Sequence, residues 1–496
     1  MPEIVIDGER YVPESSIPPA AAARIGIAVT TRDRHAALCK VLDAIAEHTK
    51  VPFTLVVVND AGLPGRTGEV VDERREFVSA YHRFEKQRGI AAAKNRCLEL
   101  LVEAGAEHLF LFDDDAYPIS DDWWKPYVAS PEPHLMRIFE DLDGPRKLHD
   151  IANLYADDQH TAWTGPRGVM LYVERRVLDV VGGMDLIYGK WGYEHGDWSN
   201  RIHHEGLTTW RYADVAGSDR LIHSMDEFEE IDRSIPSKER QELVRRNAEI
   251  HNRRRDQRYR GYAEFRTPRT PVLTCLLTGT PDPQRNRKMD TSWSMLQELL
   301  ASVPGEVVVF ADELEGEAHG AELERVPTMA NPYFARWIHY WRWLREHPEV
   351  TKVWCVDGTD VTQLRDPFEM IEPGKLYLGS EPTILGDPWM VKHHRSKDVA
   401  EFIAANPLLP LLNAGLVGGD RATVMEFLHG MVMAYFDNGM HIFTRRETER
   451  LGLGDMGVFN LIARRDFADR IVTGPAVHTV FKAEDRENKI AAWRHK

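Results

Sequence analysis

Cysteine is scarce in this sequence, and long apolar runs are missing. The chain has four cysteines and no CxxC pair, which excludes a zinc knuckle or a disulfide framework and predicts reduced thiols. The first residues, MPEIVIDGERYVPESS, lack the apolar core of a signal peptide. No run of about 18 apolar residues predicts a transmembrane helix. These absences predict a cytoplasmic protein that has no membrane partner.

A surplus of positive charge is also missing. The chain has 62 Lys and Arg residues against 78 Asp and Glu residues, for a formal net charge of −16. This balance argues against broad adhesion to nucleic acid, while a local basic groove stays compatible with it. Hydrophobic residues make up 43% and charged residues 28%, so the chain can bury ordinary globular cores. Its 496 residues predict two to four domains, at roughly 100–200 residues each.

Apolar strand segments alternate with helical segments twice along the chain. In the first half the strands IGIAVTT, FTLVVVND and HLFLFDDD are separated by the helices HAALCKVLDAIAEH and GIAAAKNRCLELLVEAG. In the second half the strands PVLTCLLTG, EVVVFAD and VTKVWCVDGTDV accompany the helix WSMLQELLASV. Such alternation is typical of mostly parallel sheets with helices on both faces. We therefore predict an α/β fold with two tandem, Rossmann-like domains.

Composition predicts the domain boundaries. We expect an N-terminal arm at 1–23, a first domain at 24–225, a charged helical connector at 226–270 and a second domain at 271–496. The connector carries a cluster of arginines, namely Arg245, Arg246, Arg253, Arg254, Arg255, Arg258 and Arg260. This cluster is either a phosphate-binding surface or a solvated helix face, since acidic residues are interleaved with it.

Polar residues close the three predicted strands of the first half. Ligands of doubly wound sheets bind at the carboxyl ends of the strands, where Thr30, Arg32 and Asp60 are expected to bind a donor molecule. The third strand ends in Asp113, Asp114 and Asp115. Carboxylates at 113 and 115 are hard oxygen ligands that suit Mg²⁺ or Mn²⁺. Acid clusters at the start of a loop are also common as solvated residues or helix caps. The choice between these interpretations and a metal site therefore depends on the surrounding motifs.

Three segments of the first half resemble a known family. VVVNDAG, FLFDDDAYP and QRGIAAAKNRCLE together resemble the inverting GT-A glycosyltransferases, which use nucleotide-sugar donors. The resemblance implies that Asp60 holds the nucleoside, and that Asp113 and Asp115 lie at the diphosphate and the metal. Lys94 stands where the family often has an arginine, and the alternative is an ordinary helix lysine.

The segment GGMDLIYGKWGYEHGDWSNRI resembles the acceptor-side motif of the same enzymes. The family's base is usually the acid after the glutamate, a position that His195 occupies here, between Glu194 and Asp197. Histidine can act as a general base, whereas Glu194 can instead bind sugar hydroxyls, so the resemblance leaves the base open within this group. His223 is expected either as a third metal ligand or as a structural histidine.

The second half resembles the retaining GT-A families that are similar to glycogenin. VWCVDGTDVTQLRDPFE implies a metal site at Asp357 and Asp360, although Gly358 replaces the usual acid. LLNAGLVGGDR and GDMGVFNLI imply that Asn413 contacts the transferred sugar and that Asp455 approaches the reaction centre. AVHTVFK implies the metal ligand His478 and the phosphate partner Lys482.

Together these resemblances imply a transferase (EC 2.4) with Mn²⁺ or Mg²⁺ and a UDP- or GDP-sugar donor. Two sequential transfers are expected, and the alternative is one active domain beside a degenerate nucleotide-sugar-binding copy. The first domain also looks similar to TET-associated glycosyltransferases of bacteriophages, which implies hydroxymethylpyrimidine DNA as the acceptor. Protein and glycan acceptors stay open, as do the sugar, the linkage and the oligomeric state. A nucleotide-sugar synthase is disfavoured because AVTTRDRH lacks a glycine-rich triphosphate loop.

Overall fold

A computed structural model describes residues 4–6, 9–11, 24–63, 65–138, 151–226, 228, 230, 237–257, 261–329, 331–437, 454–482 and 488–495. The chain divides into two compact units, Met1–Thr267 and Pro268–Lys496. Each unit is built on a sheet with helices, which confirms the predicted α/β class. Among the helices of the described residues, none is long and apolar enough to cross a membrane.

Unit 1 begins with a hairpin and continues as alternating strands and helices. Its strands are β1 Ile4–Ile6, β2 Glu9–Tyr11, β3 Ile25–Thr31, β4 Phe53–Asn59, β5 Ala80–Arg83, β6 His108–Asp113, β7 Ala116–Pro118, β8 His134–Ile138, β9 Asn153–Ala156, β10 His160–Trp163, β11 Gly168–Glu174, β12 Ala213–Val215 and β13 Ile222–Ser224. Its helices are α1 His35–His48, α2 Arg66–Asp72, α3 Ile90–Glu103, α4 Lys125–Ala129, α5 Arg175–Val181, α6 Glu194–His204 and α7 Ser237–Arg254.

The main sheet of unit 1 has the strand order β5-β4-β3-β6-β11-β8. The strands β5, β4, β3 and β6 are parallel, whereas β11 is antiparallel to both of its neighbours. All seven residues of β3 are buried, and they alternate between two cores. Ile27 and Val29 pack with Leu38 on one face, while Ala28 packs with Leu98 on the other. The four parallel strands therefore bring their polar carboxyl ends to one edge of the sheet.

Unit 2 repeats this layered plan. Its strands are β14 Val272–Leu276, β15 Val307–Ala311, β16 Glu322–Arg325, β17 Lys352–Val356, β18 Val361–Gln363, β19 Leu376–Ile384, β20 Pro410–Asp420, β21 Ile471–Val472 and β22 Trp493–His495. Its helices are α8 Gln297–Ser302, α9 Pro332–Glu346, α10 Pro388–His393, α11 Lys397–Ala405, α12 Arg421–Asp437 and α13 Met456–Asp466. The main sheet has the order β16-β15-β14-β17-β20-β19-β21, and β18 pairs separately with β22. The predicted helix WSMLQELLASV is a 3₁₀ turn, Trp293–Leu296, followed by α8.

The structure places the boundaries differently from composition. The helix α7, from the segment predicted to connect two domains, belongs to unit 1, and unit 2 begins at Pro268. Of the predicted arm at 1–23, the described residues form only the antiparallel pair β1 and β2.

Candidate functional site

A cleft of about 390 Å³ opens in unit 1 at the carboxyl ends of the parallel strands. Eight of the residues predicted from the sequence line it, namely Thr30, Arg32, Asp60, Lys94, Asp113, Asp115, Glu194 and His195. Residues from β3, β6 and the first turn of α6 all line this cleft. The fold therefore brings the predicted donor residues and part of the predicted catalytic group to one cavity.

Each acid of the 113–115 run has a cationic partner. The Lys94 Nζ lies 2.7 Å from the Oδ1 of Asp113. The guanidinium of Arg34 donates to Asp114 and Asp115, at 2.9 Å in both cases. Asp114 also accepts a hydrogen bond of 2.7 Å from Thr31. Because the side chain of Asp113 is 33% exposed and that of Asp114 only 7%, Asp113 is the more open to the cleft.

These partners do not satisfy the whole cluster. The Oδ1 of Asp115 is buried and has no hydrogen-bond partner among the described residues. Burial, followed by the charges of Asp113 and Asp114, raises the pKa of Asp115 to about 7. Burial also raises the pKa of Asp114. An unsatisfied carboxylate oxygen within a crowded acidic cluster is the kind of environment that a divalent cation fits.

Asp60, which follows β4, is hydrogen-bonded to the segment that precedes α3. Its carboxylate accepts hydrogen bonds from the backbone N–H groups of Arg88, at 2.6 Å, and Gly89, at 2.9 Å. Gly89 has φ +92°, a conformation that favours glycine. Each carboxylate oxygen keeps further acceptor capacity, so the same side chain can also accept from a ligand.

Glu194 and His195 lie in the first turn of α6 and line the same cleft. The Nδ1 of His195 lies 3.3 Å from the Oε1 of Glu194. Glu194 is 5% exposed, and its Oε2 has no hydrogen-bond partner among the described residues. If the imidazole of His195 carries its proton on Nδ1, that N–H donates a hydrogen bond to Glu194, and the Nε2 of His195 keeps a free lone pair. Both residues of the pair line the cleft, and its part in catalysis belongs to the proposed function.

Asp197, predicted as part of the catalytic group, lies in the interior instead. It is fully buried, the hydroxyl of Tyr188 donates to its Oδ1 at 2.7 Å, and the Nε of Arg201 lies 3.4 Å from its Oδ2. It does not line the cleft, since α6 carries it one turn further into the unit. The structure therefore separates Asp197 from the Glu194–His195 pair, and its catalytic role stays a prediction.

His223, predicted as a metal ligand, does not line the cleft. Its ring stacks on Phe228 with centroids 4.9 Å apart, and its Nε2 lies 3.2 Å from Glu230. In the pairing of β13 with β7, His223 stands opposite Tyr117. Asp226, three residues later, does line the cleft. Sequence reasoning missed Asp226, although an acid directly after the last strand was the available signal.

Two of the described arginines of the predicted connector, Arg246 and Arg254, join α7 to the segment that precedes α6. The Nη1 of Arg254 lies 2.6 Å from Asp185, and Arg246 donates to the carbonyl of Ile187 at 3.1 Å. Arg258 and Arg260 lie outside the described residues. Part of this cluster is therefore used within the fold and is not available as an open phosphate-binding face.

Unit 2 contains a second acidic cluster. Ligand atoms of Asp357, Asp360 and His495 all lie within 4.8 Å of one another. The antiparallel pairing of β18 with β22 sets Val361 opposite His495, which brings this histidine beside the preceding Asp360. Burial lowers the pKa of His495 to about 3, so its imidazole is neutral, the form that binds metals. Burial, then the charge of Asp357, raises the pKa of Asp360 to about 7.

The cluster has free ligand atoms but does not include His478. The Nδ1 of His495 and the Oδ1 of Asp360 are buried without a hydrogen-bond partner among the described residues. The Nε2 of His478 accepts from the backbone N–H of Ser380 at 2.9 Å, and its Nδ1 donates to the carbonyl of Thr479 at 2.5 Å. Because both ring nitrogens of His478 are used, we correct the predicted ligand to His495.

Arg336 connects this cluster to Asp455. Its guanidinium contacts Asp357 and lies 2.7 Å from the Oδ2 of Asp455, which also accepts from the indole of Trp337 at 2.7 Å. Asp455 is 2% exposed, so its position suits holding Arg336 rather than meeting a substrate directly. The catalytic role of Asp455 stays a prediction, and its observed contacts are with Arg336 and Trp337.

The contacts of Asn413 and Lys482 leave their predicted role in donor binding open. Asn413 accepts from the backbone N–H of Gly415 and donates to Glu381, both at 2.7 Å. Lys482 has φ +57°, and its Nζ lies 4.7 Å from the ring centroid of Phe481. Its charge lowers the raised pKa of Asp360, which places it near the cluster. Both residues therefore stay candidates for donor binding.

The structure explains the missing acid at position 358. A Cβ on Gly358 would lie 2.6 Å from the Oγ1 of Thr274 and would collide with Leu296. A side chain at position 358 would therefore require Leu296 and Thr274 to move, and the two acids stand on either side of the 358–359 turn.

Comparisons with known proteins give partial similarity. No family model matches the chain. A stretch of 139 residues is 33% identical to the uncharacterized glycosyltransferase YwdF of Bacillus subtilis (strain 168), covering 27% of this chain. The chain spans 44% of the length of that relative, which is less than half.

Three solved structures show a looser likeness. The mannosyltransferase PcManGT from Pyrobaculum calidifontis, in complex with GDP-Man and Mn²⁺, is 18% identical over 37% of this chain and 53% of its own, with a TM-score of 0.29. GalNAc-T7 with UDP, GalNAc and Mn²⁺ is 13% identical over 39% and 42%, with a TM-score of 0.33. S. aureus TarS 1-349 in complex with UDP-GlcNAc is 16% identical over 32% and 46%, with a TM-score of 0.25.

Proposed function

We propose that unit 1 is a glycosyltransferase that moves a sugar from a nucleotide-sugar donor to a hydroxyl group. One observation carries this proposal: the acids at 113–115 and the Glu194–His195 pair line the same cleft. The acids suit a metal and a diphosphate, whereas the pair suits an acceptor hydroxyl. The partial identity to the glycosyltransferase YwdF supports the same reaction class.

Asp113 and Asp115 would hold Mn²⁺ or Mg²⁺, and Asp226 is a further acid in the cleft. The fit rests on the buried Oδ1 of Asp115, which has no hydrogen-bond partner among the described residues. When bound, such an ion stabilises the negative charge that develops on a departing diphosphate.

Residues of the chain itself bind and orient the donor. Asp60, fixed by two backbone N–H groups, accepts hydrogen bonds from the nucleoside. Thr30 and Arg32 line the same cleft, and the ammonium of Lys94, which is almost fully buried, adds positive charge beside Asp113. A buried cation in a site of low dielectric interacts strongly with a phosphate.

His195 acts as the base of an inverting transfer. Its Nε2 takes the proton from the acceptor hydroxyl while that oxygen forms a bond to the anomeric carbon. The bond between this carbon and the diphosphate breaks, and the diphosphate leaves with the electron pair. Glu194 orients the imidazole through its Nδ1 and stabilises the imidazolium that forms. A carboxylate has the same effect on the histidine of a catalytic triad.

Unit 2 is proposed as a second donor site. Asp357, Asp360 and His495 would hold a divalent cation, and their unpartnered buried atoms support this fit. Arg336, held by Asp455, and Asn413 lie close enough to orient a sugar nucleotide. Transfer by unit 2 after transfer by unit 1 would add two sugars in sequence. The alternative is that unit 2 binds a nucleotide sugar without turnover.

The acceptor proposed from the sequence is hydroxymethylpyrimidine DNA inside a phage-infected cell. Protein and glycan acceptors are the competing classes. The test incubates the protein with Mn²⁺, a panel of UDP- and GDP-sugars, and either hydroxymethylcytosine DNA or a host extract. Mass spectrometry of each acceptor then shows which class gains the mass of a hexose or a related sugar.

The reaction class is tested with Asp115→Ala. Calorimetry should show Mn²⁺-dependent binding of a nucleotide sugar to unit 1 in the unsubstituted protein, and loss of that binding in the variant. Asp121→Ala is the matched control, because Asp121 is 61% exposed and does not line the cleft. If Asp115→Ala keeps the full Mn²⁺-dependent affinity of unit 1, the proposed metal site is refuted.

A further inference from the structure

A backbone segment of unusual conformation leads into α6. We call residues Gly189, Lys190, Trp191, Gly192 and Tyr193 the 189–193 loop. Gly189 has φ +66° and Gly192 has φ +97°, while Tyr193 has φ +75° although it carries a side chain. A bulky residue with positive φ is uncommon, and it persists only where surrounding contacts hold it in place. Lys190 and Trp191 line the cleft, and the loop ends directly before Glu194.

Asn247 of α7 supplies many of these contacts. Its side chain is fully buried, and its Nδ2 lies 2.8 Å from the carbonyl of Tyr188, 2.9 Å from that of Trp191 and 3.0 Å from that of Gly192. Its Oδ1 accepts from Arg246 at 3.0 Å. An amide has two N–H protons, so the three carbonyls share both of them. The donors of Asn247 are therefore used entirely on this segment.

Other residues of α7 contact the same region. The ring of His251 packs against Tyr193, with centroids 5.1 Å apart. Arg246 donates to the carbonyl of Ile187, and Arg254 pairs with Asp185. Contacts thus run along the whole segment from 185 to 193.

The 189–193 loop also contacts the start of α3 and the glycine before it. The backbone N–H of Ile90 donates to the carbonyl of Lys190 at 3.1 Å. Gly89 packs so closely that a Cβ there would collide with the backbone of Gly189. The same Gly89 donates its N–H to Asp60. The 189–193 loop therefore lies between α7 and the segment that holds the proposed nucleoside-binding acid.

We propose that Asn247 is a positioning residue that sets the 189–193 loop, and through it the placement of Trp191, Glu194 and His195 in the cleft. The inference rests on the proposed function of unit 1 for its catalytic meaning. Its structural part is independent of that function: without the amide of Asn247, the backbone conformation of the loop loses its main hydrogen-bond donor.

Hydrogen exchange tests the structural part without any substrate. In Asn247→Ala, backbone amides of residues 189–193 should exchange at least about ten-fold faster, since losing one to two buried hydrogen bonds allows this change. Asn247→Asp should have a larger effect because its carboxylate would face three carbonyl oxygens. Amides of β3 and β6 should keep their protection, which shows that the sheet stays folded. Asn153→Ala is the control, because Asn153 is exposed on β9.

Kinetics tests the catalytic part. In Asn247→Ala, kcat should fall by about 10²-fold, the size expected from a misplacement of about 1 Å, while the Kd for donor and Mn²⁺ changes less than about two-fold. An unchanged exchange rate in the loop, or an equal loss of donor affinity and turnover, would overturn the inference. Absence of transfer by the unsubstituted protein would refute the proposed function and leave the exchange result to decide the structural part.

Discussion

Single residues show how each unit keeps buried acids in one place. Lys94 and Arg34 lie among the acids of unit 1, and Arg336 lies between Asp357 and Asp455 in unit 2. Burying unpaired carboxylates costs several kcal/mol, so these cations are needed for folding before any metal binds. Within the 113–115 run and the Asp357–Asp360 pair, Asp115 and Asp360 each have one buried oxygen free of hydrogen bonds among the described residues. They are therefore the positions where a further cation gains most.

The base is tested by substituting His195. In His195→Ala we expect kcat to fall by about 10²–10⁴-fold, because the acceptor proton loses its acceptor group. Donor affinity measured by calorimetry should stay unchanged, since His195 pairs with Glu194 and, within the part of the chain that is described, forms no ion pair with the 113–115 acids. Glu194→Gln should have a smaller effect, because the imidazole remains. His48→Ala, outside the cleft, is the control, and comparable rates for His195→Ala and His48→Ala would contradict the assignment.

His134 predicts acid sensitivity of unit 1. Burial lowers the pKa of His134 to about 4, and its ring nitrogens bond to the Tyr172 carbonyl and the Ser199 hydroxyl. The unfolded chain takes up this proton near pH 6.5 and the folded chain does not. The unfolding free energy should therefore fall as the pH falls from about 6.5 to 4, by up to about 3 kcal/mol.

The contribution of His134 is isolated with His134→Gln. This variant loses stability at neutral pH because Gln replaces a fitted ring, but it has no proton to gain. The difference in unfolding free energy between the two proteins should therefore shrink toward pH 4. Urea unfolding, with hydrogen exchange of the β3 and β6 amides as the signal, measures that difference. A difference that stays constant across this pH range would show that His134 does not titrate as described.

Among the elements, strand β20 passes directly beneath the acidic cluster of unit 2. A Cβ on Gly415 would lie 2.7 Å from the ring of His495 and 2.9 Å from both Asp357 and Asn413. The close approach of this strand leaves no room for a side chain. The backbone of β20 therefore forms the floor of the proposed cation site.

Gly415→Ala tests this floor. The added methyl group should displace His495 or Asp357 and weaken Mn²⁺ binding by unit 2 by at least about ten-fold, the equivalent of 1.4 kcal/mol. Binding by unit 1 should be unaffected. Gly305→Ala is the control, because nothing lies within 4 Å of a Cβ at that position. Calorimetry with Mn²⁺ and a nucleotide sugar makes the comparison, and full affinity of unit 2 in Gly415→Ala would refute the cation site as described.

For the whole molecule, the two clusters predict two independent binding events. The unsubstituted protein should bind two equivalents of Mn²⁺ and donor, whereas Asp115→Ala and Asp360→Ala should each bind one. The double variant should bind none, because each cluster loses its least satisfied acid. Titration calorimetry measures the stoichiometry. One equivalent in the unsubstituted protein, lost in Asp115→Ala only, would show that unit 2 is not a donor site, with or without turnover.

Much of the architecture follows from local patterns in the sequence. Runs such as IGIAVTT and HLFLFDDD predict buried strands, and their alternation with helices predicts parallel sheets and the α/β class. Parallel strands necessarily bring their carboxyl ends to one edge, so Thr30, Asp60, Asp113 and Asp115 were expected near one another. The positions of Glu194 and His195 in the same cleft agree with this reading, and their catalytic roles stay predictions.

Only the tertiary structure decided which neighbouring polar residue faces each site. His223 and Asp226 are three residues apart, and only Asp226 lines the cleft, whereas the His223 ring stacks on Phe228. His495 rather than His478 meets Asp360 because β22 pairs with β18, a contact between distant segments. Asn247 reaches the 189–193 loop through the packing of α7. Sequence spacing alone specifies which residues share an element, whereas the direction of each side chain depends on long-range pairing and packing that no local pattern encodes.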